Sequence, residues 1–97
     1  MKLSTFFLRH HWCHHALARN ADGHPCDPKS RGARAWSLHG AMLRVFDHNP
    51  TRQEYDRAYW LAVAKVCPTG ETGLGAWNDK KGRTKKQVVT LCMRLDI

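Results

Sequence analysis

Residues 51–67 read TRQEYDRAYWLAVAKVC, and this stretch decides the fold class of the chain. Thr51 and Glu54 have the spacing of a capping box, which marks the first turn of a helix. Apolar side chains then recur at helical spacing and predict a buried stripe of Tyr55, Ala58, Tyr59, Ala62 and Val66. Three further apolar residues widen that stripe: Trp60, Leu61 and Val63. We therefore expect a central helix that ends in the CPTG sequence at residues 67–70.

Helical spacing recurs on both sides of this stretch. Residues 2–11 place four side chains on one face: Leu3, Phe6, Phe7 and His10. Residues 33–46 give a second stripe: Leu38, Ala41, Met42, Val45 and Phe46. Thr84 and Gln87 repeat the capping-box spacing, and a last stripe follows them: Val88, Leu91, Cys92 and Leu95. The chain thus predicts about four helices.

Two segments interrupt the helical pattern. The Asn20–Gly23 sequence favours a tight turn, while Pro25 and Pro28 disfavour a helix, so we expect a short β-hairpin there. Residues 70–83 hold four of the seven glycines and predict a long loop. We expect a mainly α fold, with α+β possible: four helices around one core, a β-hairpin after the first helix, and a single compact domain over residues 1–97.

The charge balance points to an anionic partner. The chain carries 16 lysines and arginines against 8 aspartates and glutamates, a formal net charge of +8. An acidic protein surface and a nucleic acid both fit such a balance. No run of about 18 apolar residues predicts a membrane span, and the N-terminus lacks the pattern of a secretory signal. We therefore expect a cytoplasmic protein with reduced cysteines and no membrane partner.

The densest basic cluster is KKGRTKK at residues 80–86. Its cations lie at the predicted start of the last helix, where positive charge opposes the helix dipole, and such a locally unfavourable choice indicates a binding role. A solvated, solubilising face is the alternative. The candidate partner-binding residues are Lys80, Lys81, Arg83, Lys85 and Lys86 in this cluster, with Trp77 in the preceding loop and Arg31 and Arg34 before the second helix.

A second cluster combines histidine and cysteine, the preferred ligands of zinc. Residues 10–15 read HHWCHH, and Cys26 follows. On a continued helix His10 and His14 would be four residues apart, with Cys13 and Cys26 able to complete a site across the hairpin. Because the spacing matches no recognised metal motif, these four residues are weak candidates, and we assign no metal and no cofactor.

Nothing in the sequence matches a catalytic motif. The chain has no nucleophile elbow, P-loop, dinucleotide fingerprint or pair of catalytic acids. Cys13 or Cys26 beside a histidine could imitate a nucleophile and its base, but a chain of 97 residues seldom builds a substrate pocket. We expect no enzymatic activity.

Three blocks resemble a family of small uncharacterised proteins from bacteria and their phages. They are Trp12-Cys13 with residues 16–19 and 22–23, Ala35-Trp36 with Leu38 and residues 40–41, and residues 76–79 with 82–84 and Val88. The most specific block is Trp-Asn-Asp…Gly-Arg-Thr at residues 77–84. The resemblance implies no activity. It implies that Asn78, Asp79, Arg83 and Thr84 form a shared loop-to-helix device, in which Asp79 caps the loop or braces it against the hairpin.

The charge and the lack of catalytic motifs favour a small, non-enzymatic binding protein, and the resemblance implies a phage or mobile element as its source, with the cytoplasm of a bacterial host cell as its location. The expected role is steric inhibition of a host defence complex through the basic surface, as in an anti-CRISPR protein that covers an acidic face of a CRISPR effector. Anti-CRISPR proteins are similar to this chain in being short and free of catalytic motifs, which is an analogy of size and context. The alternative is a small nucleic-acid-binding regulator that uses its last helix.

Overall fold

The computed structural model describes residues 1–47, 52–67 and 73–97. They form five helices and three short strands, which confirms the mainly helical fold with a small β component. The helices are α1 (Leu3–Arg9), α2 (Leu38–Phe46), α3 (Arg52–Val66), α4 (Leu74–Asn78) and α5 (Lys85–Leu95). The strands are β1 (His11–Trp12), β2 (Ala18–Asn20) and β3 (Ala33–Trp36).

The segment at residues 33–46 divides into β3 and α2, so the helix predicted there was five residues too long at its start. Ser37 adopts an extended conformation and its side chain accepts a hydrogen bond from the N–H of Gly40, which fixes the first turn of α2. Residues Ala33 and Trp36 are buried on the strand that precedes this cap. The predicted stripe holds within α2, where Leu38, Ala41, Met42 and Phe46 are buried.

The three strands form one sheet with β3 in the centre. β1 pairs parallel to β3, with Trp12 opposite Trp36, and β2 pairs antiparallel to β3, with Ala18 opposite Trp36. The turn at Asn20–Gly23 forms as predicted, and Gly23 takes the positive φ of +80° that such a turn favours. The antiparallel pair after α1 is formed by β2 and β3. At the tight turn itself there is one isolated β-bridge, between Arg19 and Pro25.

One apolar core joins the sheet and the helices. Helix α1 packs against α5, and α2 packs against α3. The largest fully buried side chains come from both halves of the chain and include Phe7, Leu3, Leu38, Met42 and Val88. Trp36 is also buried. None of the helices in the described parts of the chain is long and apolar enough to cross a membrane.

Trp60 lies outside this core, which corrects the prediction that it widens the buried stripe. Its side chain is 64% exposed, and Leu61 is also exposed. The buried residues of α3 are Tyr55, Ala58 and Ala62. Trp60 is two residues from both alanines, about 200° around the helix at 3.6 residues per turn, so it faces solvent.

The glycine-rich segment is not entirely a loop, because Leu74–Asn78 forms helix α4. Leu74 and Asn78 are buried, and burial of this single turn offsets the low helix propensity of its glycine. The capping box at Thr84 and Gln87 is confirmed, with both reciprocal hydrogen bonds present. The capping residue predicted at Thr51 and the helix end predicted at Pro68–Gly70 lie outside the described residues.

Candidate functional site

Asn78, at the end of α4, is a buried polar residue that joins three parts of the fold. Its Oδ1 accepts hydrogen bonds from Trp12 Nε1 at 2.8 Å and from the backbone N–H of Leu38 at 2.9 Å. Its Nδ2 donates to the carbonyl of Cys13 at 3.1 Å. The side chain is 1% exposed, so these bonds replace water completely. We call Asn78 with Trp12, Cys13 and Leu38 the amide clamp.

Asp79 extends the clamp to the chain between β1 and β2. Its Oδ1 accepts from the backbone N–H of His15 at 2.8 Å and from Asn78 Nδ2 at 3.0 Å. Burial alone would raise the pKa of the Asp79 carboxyl, but these hydrogen bonds and the nearby His15 and His14 outweigh it and hold that pKa below its ordinary value. The expected brace between Asp79 and the hairpin region is thus present, and the Trp-Asn-Asp block has a structural role.

A small cavity of about 260 Å³ adjoins this brace and brings together titratable groups that sequence patterns did not connect. Its lining includes Ser37, His39, His15 and Asp79. Ser37 Oγ already accepts from the N–H of Gly40, and His39 Nε2 lies 2.7 Å from the hydroxyl of Tyr55. Burial lowers the pKa of His39, which favours a neutral ring. The polar groups on this wall are therefore committed to internal contacts.

The histidine and cysteine candidates do not converge. Helix α1 ends at Arg9, so His10 and His14 are not on consecutive turns of a helix. His10 packs on Phe6 with ring centroids 4.4 Å apart, and His14 packs on Trp12 at 5.6 Å. Cys26 packs against the core. No group of three or more potential metal ligands occurs within residues 1–47, 52–67 and 73–97.

The thiol of Cys13 is poorly suited to nucleophilic chemistry. Cys13 is buried, and its Sγ lies 3.8 Å from the carbonyl of Ala16, to which it donates. Burial raises the pKa of this thiol and so disfavours the reactive thiolate. All four cysteines are free, and burial raises the pKa of the Cys92 thiol to about 12.

Trp77 and Arg83 form the fixed centre of the predicted basic cluster. The guanidinium of Arg83 lies over the Trp77 ring, 4.0 Å from the ring centroid, and its Nε donates to the Trp77 carbonyl at 2.9 Å. A cation stacked on an aromatic face keeps its charge while losing side-chain freedom. Trp77 is half-buried, so it both packs against the core and presents an edge to solvent.

This pair forms part of a groove of about 420 Å³ where the end of α3, helix α4 and the outer side of α5 meet. We call it the α3–α5 groove. Its floor is apolar and consists of Val66, Trp77 and Leu91. Its rim carries four cations: Lys65, Arg83, Lys86 and Arg94. Gln87 and Thr90 complete the lining, to which no carboxylate of the described residues contributes.

The structure only partly assembles the predicted binding set. Trp77, Arg83 and Lys86 line the α3–α5 groove, and Lys80 lines a smaller cavity next to it that shares Trp77 and Arg83. Lys81 and Lys85 lie outside both linings. Sequence patterns did not place Lys65 and Arg94 in the site, because their proximity depends on how α3 packs against α5.

Arg31 and Arg34 line a different groove, beside the sheet. Its lining shares no residue with the α3–α5 groove and adds two arginines that the sequence did not single out, Arg9 and Arg44. The predicted binding set is therefore divided between two basic grooves.

The comparisons with known proteins identify a family but no activity. No curated protein and no solved structure matches the chain. A family model described as a family of unknown function matches residues 5–95. The match includes the Trp-Cys block, the Trp-Asn-Asp block and the amide clamp that joins them. Because it spans nearly the whole chain, the protein belongs to the DUF6197 family.

Proposed function

We propose that the protein is a non-enzymatic binding protein whose α3–α5 groove takes an acidic, amphipathic helical segment of another protein. The observation that carries the proposal is the combination of an apolar floor with a rim of four cations, with no carboxylate from the described parts of the chain. None of these four cations takes part in an ion pair within the described parts of the chain.

The apolar floor favours a peptide over a phosphate backbone as the occupant. An amphipathic helix presents apolar side chains three and four residues apart, and a floor of Val66, Trp77 and Leu91 suits such a stripe. Carboxylates beside that stripe would meet the cationic rim. The half-buried Trp77 is the natural anchor, because tryptophan is enriched at the centres of protein interfaces.

The biological role that we propose is steric inhibition of a host defence complex, with a CRISPR effector as the concrete target. Occupying one acidic segment of a large complex requires only affinity and bulk, which a chain of 97 residues can supply without a catalytic site. The phage or mobile-element origin belongs to the same proposal. The support for the proposed inhibitory role is the basic groove and the small size of the chain.

The direct test uses a defined peptide and two charge-matched variants. The probe is an 18-residue peptide with a leucine stripe and glutamates elsewhere, and the control is a scrambled peptide of the same composition. We expect the Lys65→Glu/Arg94→Glu variant to bind the striped peptide at least about tenfold more weakly than the wild type, because two rim cations become repulsive. The matched control is Lys81→Glu/Lys85→Glu, which reverses two charges outside the groove and should leave affinity within about twofold.

Isothermal titration calorimetry measures these affinities. Equal binding of the striped and scrambled peptides, or equal weakening in both variants, would show attraction to overall charge and refute the groove as the site. The inhibitory role is tested separately by phage plaque counts on bacteria with an active CRISPR system that express each variant. Expression of the wild type should restore plaques and the groove variant should not; unchanged immunity with a peptide-binding wild type would reject this role alone.

A further inference from the structure

The second basic groove lies beside the sheet and has a different chemistry. It has a volume of about 260 Å³ and is formed by the end of α1, the start of β1, the residues before and within β3, and one side of α2. We call it the arginine groove. Its charged and titratable lining residues are Arg9, Arg31, Arg34 and Arg44 with His10 and His11.

Among the described residues, no carboxylate lines this groove and none neutralises its arginines from elsewhere. Within the described residues none of the four takes part in an ion pair, whereas Lys29 and Arg52 both pair with Asp47, and Lys2 pairs with Asp96. Asp47 and Asp96 are thus paired with cations outside this groove. Four guanidinium charges remain together around one concave surface.

Two of these guanidinium groups are held in place by neutral groups. Arg44 Nη1 donates to the carbonyls of Ser30 at 2.9 Å and Pro28 at 3.1 Å, and its guanidinium carbon lies 5.5 Å from the centroid of the Trp36 ring. Arg34 Nη1 donates to the carbonyls of Arg31 and Ala33, both at 2.9 Å.

Backbone carbonyls orient a guanidinium without cancelling its charge. An arginine carries five N–H donors, and the bonds above use only Nη1. The Nε and Nη2 donors of Arg34 and Arg44 have no hydrogen-bond partner among the described residues, so each side chain keeps an edge with which to grip an anion in a two-point contact.

Helix dipoles explain only part of this arrangement. Arg9 and Arg44 lie in the last turns of α1 and α2, where a positive charge is favourable. Arg31 lies in a turn and Arg34 in β3, so a helix end accounts for neither. The convergence of all four points to a ligand.

We propose that the arginine groove binds the phosphate groups of a nucleic acid strand. Guanidinium forks match phosphate oxygens in two-point contacts, and four arginines suit a repeating polyanion better than a single side chain. The apolar residues of the lining are Ala33 and Trp36, each 3% exposed, so they offer little side-chain surface to a peptide. This contrast with the α3–α5 groove is why we assign the two grooves to different partners.

The groove contacts backbone and not bases. Trp36 is too buried to stack on a base, and the ring of His10 is already packed on Phe6 and Trp36. Binding should therefore show little sequence preference and strong dependence on salt.

The test measures fluorescence anisotropy of a labelled 15-nucleotide dT strand and of a 15-base-pair duplex from 50 to 300 mM NaCl. Four phosphate contacts to a single strand correspond to a slope of log affinity against log salt of about −3. The variant Arg9→Gln/Arg31→Gln removes two arginines whose side chains have no hydrogen bond within the described chain, so we expect the protein to fold normally. Its slope should flatten by about 1.4, and its affinity at 50 mM NaCl should fall at least about tenfold.

A matched control removes the same charge from the other groove. Lys65→Gln/Arg94→Gln should keep the slope and hold the affinity within about twofold. Arg34→Lys keeps the charge but loses the planar fork, and we expect it to weaken binding about threefold or more. Amide shifts in NMR spectra of the wild type provide a readout without any substitution, and those induced by the dT strand should cluster at residues 9–11 and 31–36.

Three outcomes would overturn the proposal. The first is the absence of saturable binding of either nucleic acid to the wild type at 50 mM NaCl. The second is equal loss in both double variants, which would show attraction to net charge alone. The third is displacement of the dT strand by polyglutamate at equal charge concentration, which would mean that the groove does not prefer phosphate. Tighter binding of the strand or of the duplex supports the proposal either way and identifies the form of nucleic acid preferred.

Discussion

Asn78 is a buried polar residue that uses both ends of its amide in hydrogen bonds inside the protein. Its partners Trp12, Cys13 and Leu38 are 40 to 66 positions away in the chain. The clamp therefore holds α4 against the sheet and against the first turn of α2. The sequence marked Asn78 as part of a block, but partners at such separations do not follow from local spacing.

We predict that Asn78→Ala lowers the free energy of unfolding by about 2–4 kcal/mol, because it leaves the Trp12 N–H, the Leu38 N–H and the Cys13 carbonyl without partners. Urea denaturation followed by circular dichroism measures the change. The exposed Gln53→Ala in α3 is the control and should change stability by less than about 0.5 kcal/mol. A loss below about 1 kcal/mol for Asn78→Ala would mean that the clamp is not a significant source of stability.

His39 makes stability depend on pH. Burial lowers its pKa below the unfolded value of about 6.5, so the unfolded chain binds a proton that the folded chain resists. The contribution is fully present above pH 6.5 and is lost as the pH falls through 6.5 toward the folded pKa. We predict that the wild type loses stability relative to His39→Gln between pH 7.5 and 5.5, by at most about 1.4 kcal/mol per pH unit.

The measurement is a series of urea titrations across that pH range. Tyr55→Phe removes the hydroxyl that lies 2.7 Å from His39 Nε2 but keeps the titrating ring, so its pH dependence should follow that of the wild type. Parallel curves for the wild type and His39→Gln would exclude His39 as the source of the pH dependence.

At the scale of elements, local signals were predictable and long-range pairing was not. The capping box at Thr84 and Gln87 involves residues three apart, and it forms as the sequence indicates. Residues 33–36 were included in the helix predicted at residues 33–46, whose stripe begins at Leu38, and they form a strand because they pair with β1 and β2. The sequence did not predict helix α4, because glycines precede it and lie within it and lower its helix propensity. The helix is stabilised by burial of Leu74 and Asn78.

Gly40 in α2 carries a close contact between elements. A Cβ at this position would lie 1.8 Å from the carbonyl oxygen of Leu17, which also accepts from the N–H of Ser37 at 3.0 Å. The start of α2 thus touches the backbone that leads into β2. Only glycine allows this approach, which explains a glycine within a helix where it costs about 1 kcal/mol of helix propensity.

We predict opposite effects for two glycine substitutions in helices. Gly40→Ala should lower the free energy of unfolding by about 1–3 kcal/mol, because the backbone of Leu17 must move. Gly75→Ala in α4 meets no atom within 4 Å and should raise stability by up to about 1 kcal/mol. Thermal and urea denaturation measure both. An increase in stability for Gly40→Ala would contradict the close contact.

At the scale of the whole molecule, the excess of cations is concentrated in two grooves of different character. The sequence predicted a basic binding surface and named members of both grooves, because charge runs are visible along the chain. The sequence could not assign these residues to two separate grooves. Lys65 and Arg94 come together because α3 packs on α5. Arg9 and Arg44 come together because α1 and α2 lie beside the sheet.

We predict that the two grooves can be occupied at the same time, because no residue belongs to both. In 150 mM NaCl the screening length is about 8 Å, so repulsion between the two anionic ligands should be small. Saturating the protein with the dT strand should change its affinity for the striped peptide by less than about threefold, as measured by calorimetry. Mutual exclusion would show that the ligands compete for one surface.

The four free cysteines can report on local unfolding of the protein, because they lie in different parts of the fold. Three of them are buried: Cys13 beside the sheet, Cys67 just after the end of α3, and Cys92 in α5. Cys26 is only half-buried. An alkylating reagent modifies a buried thiol only when its surroundings open. The rate at which each cysteine-containing peptide is alkylated, measured by mass spectrometry after digestion, therefore ranks the regions by how readily they open, with no substitution introduced.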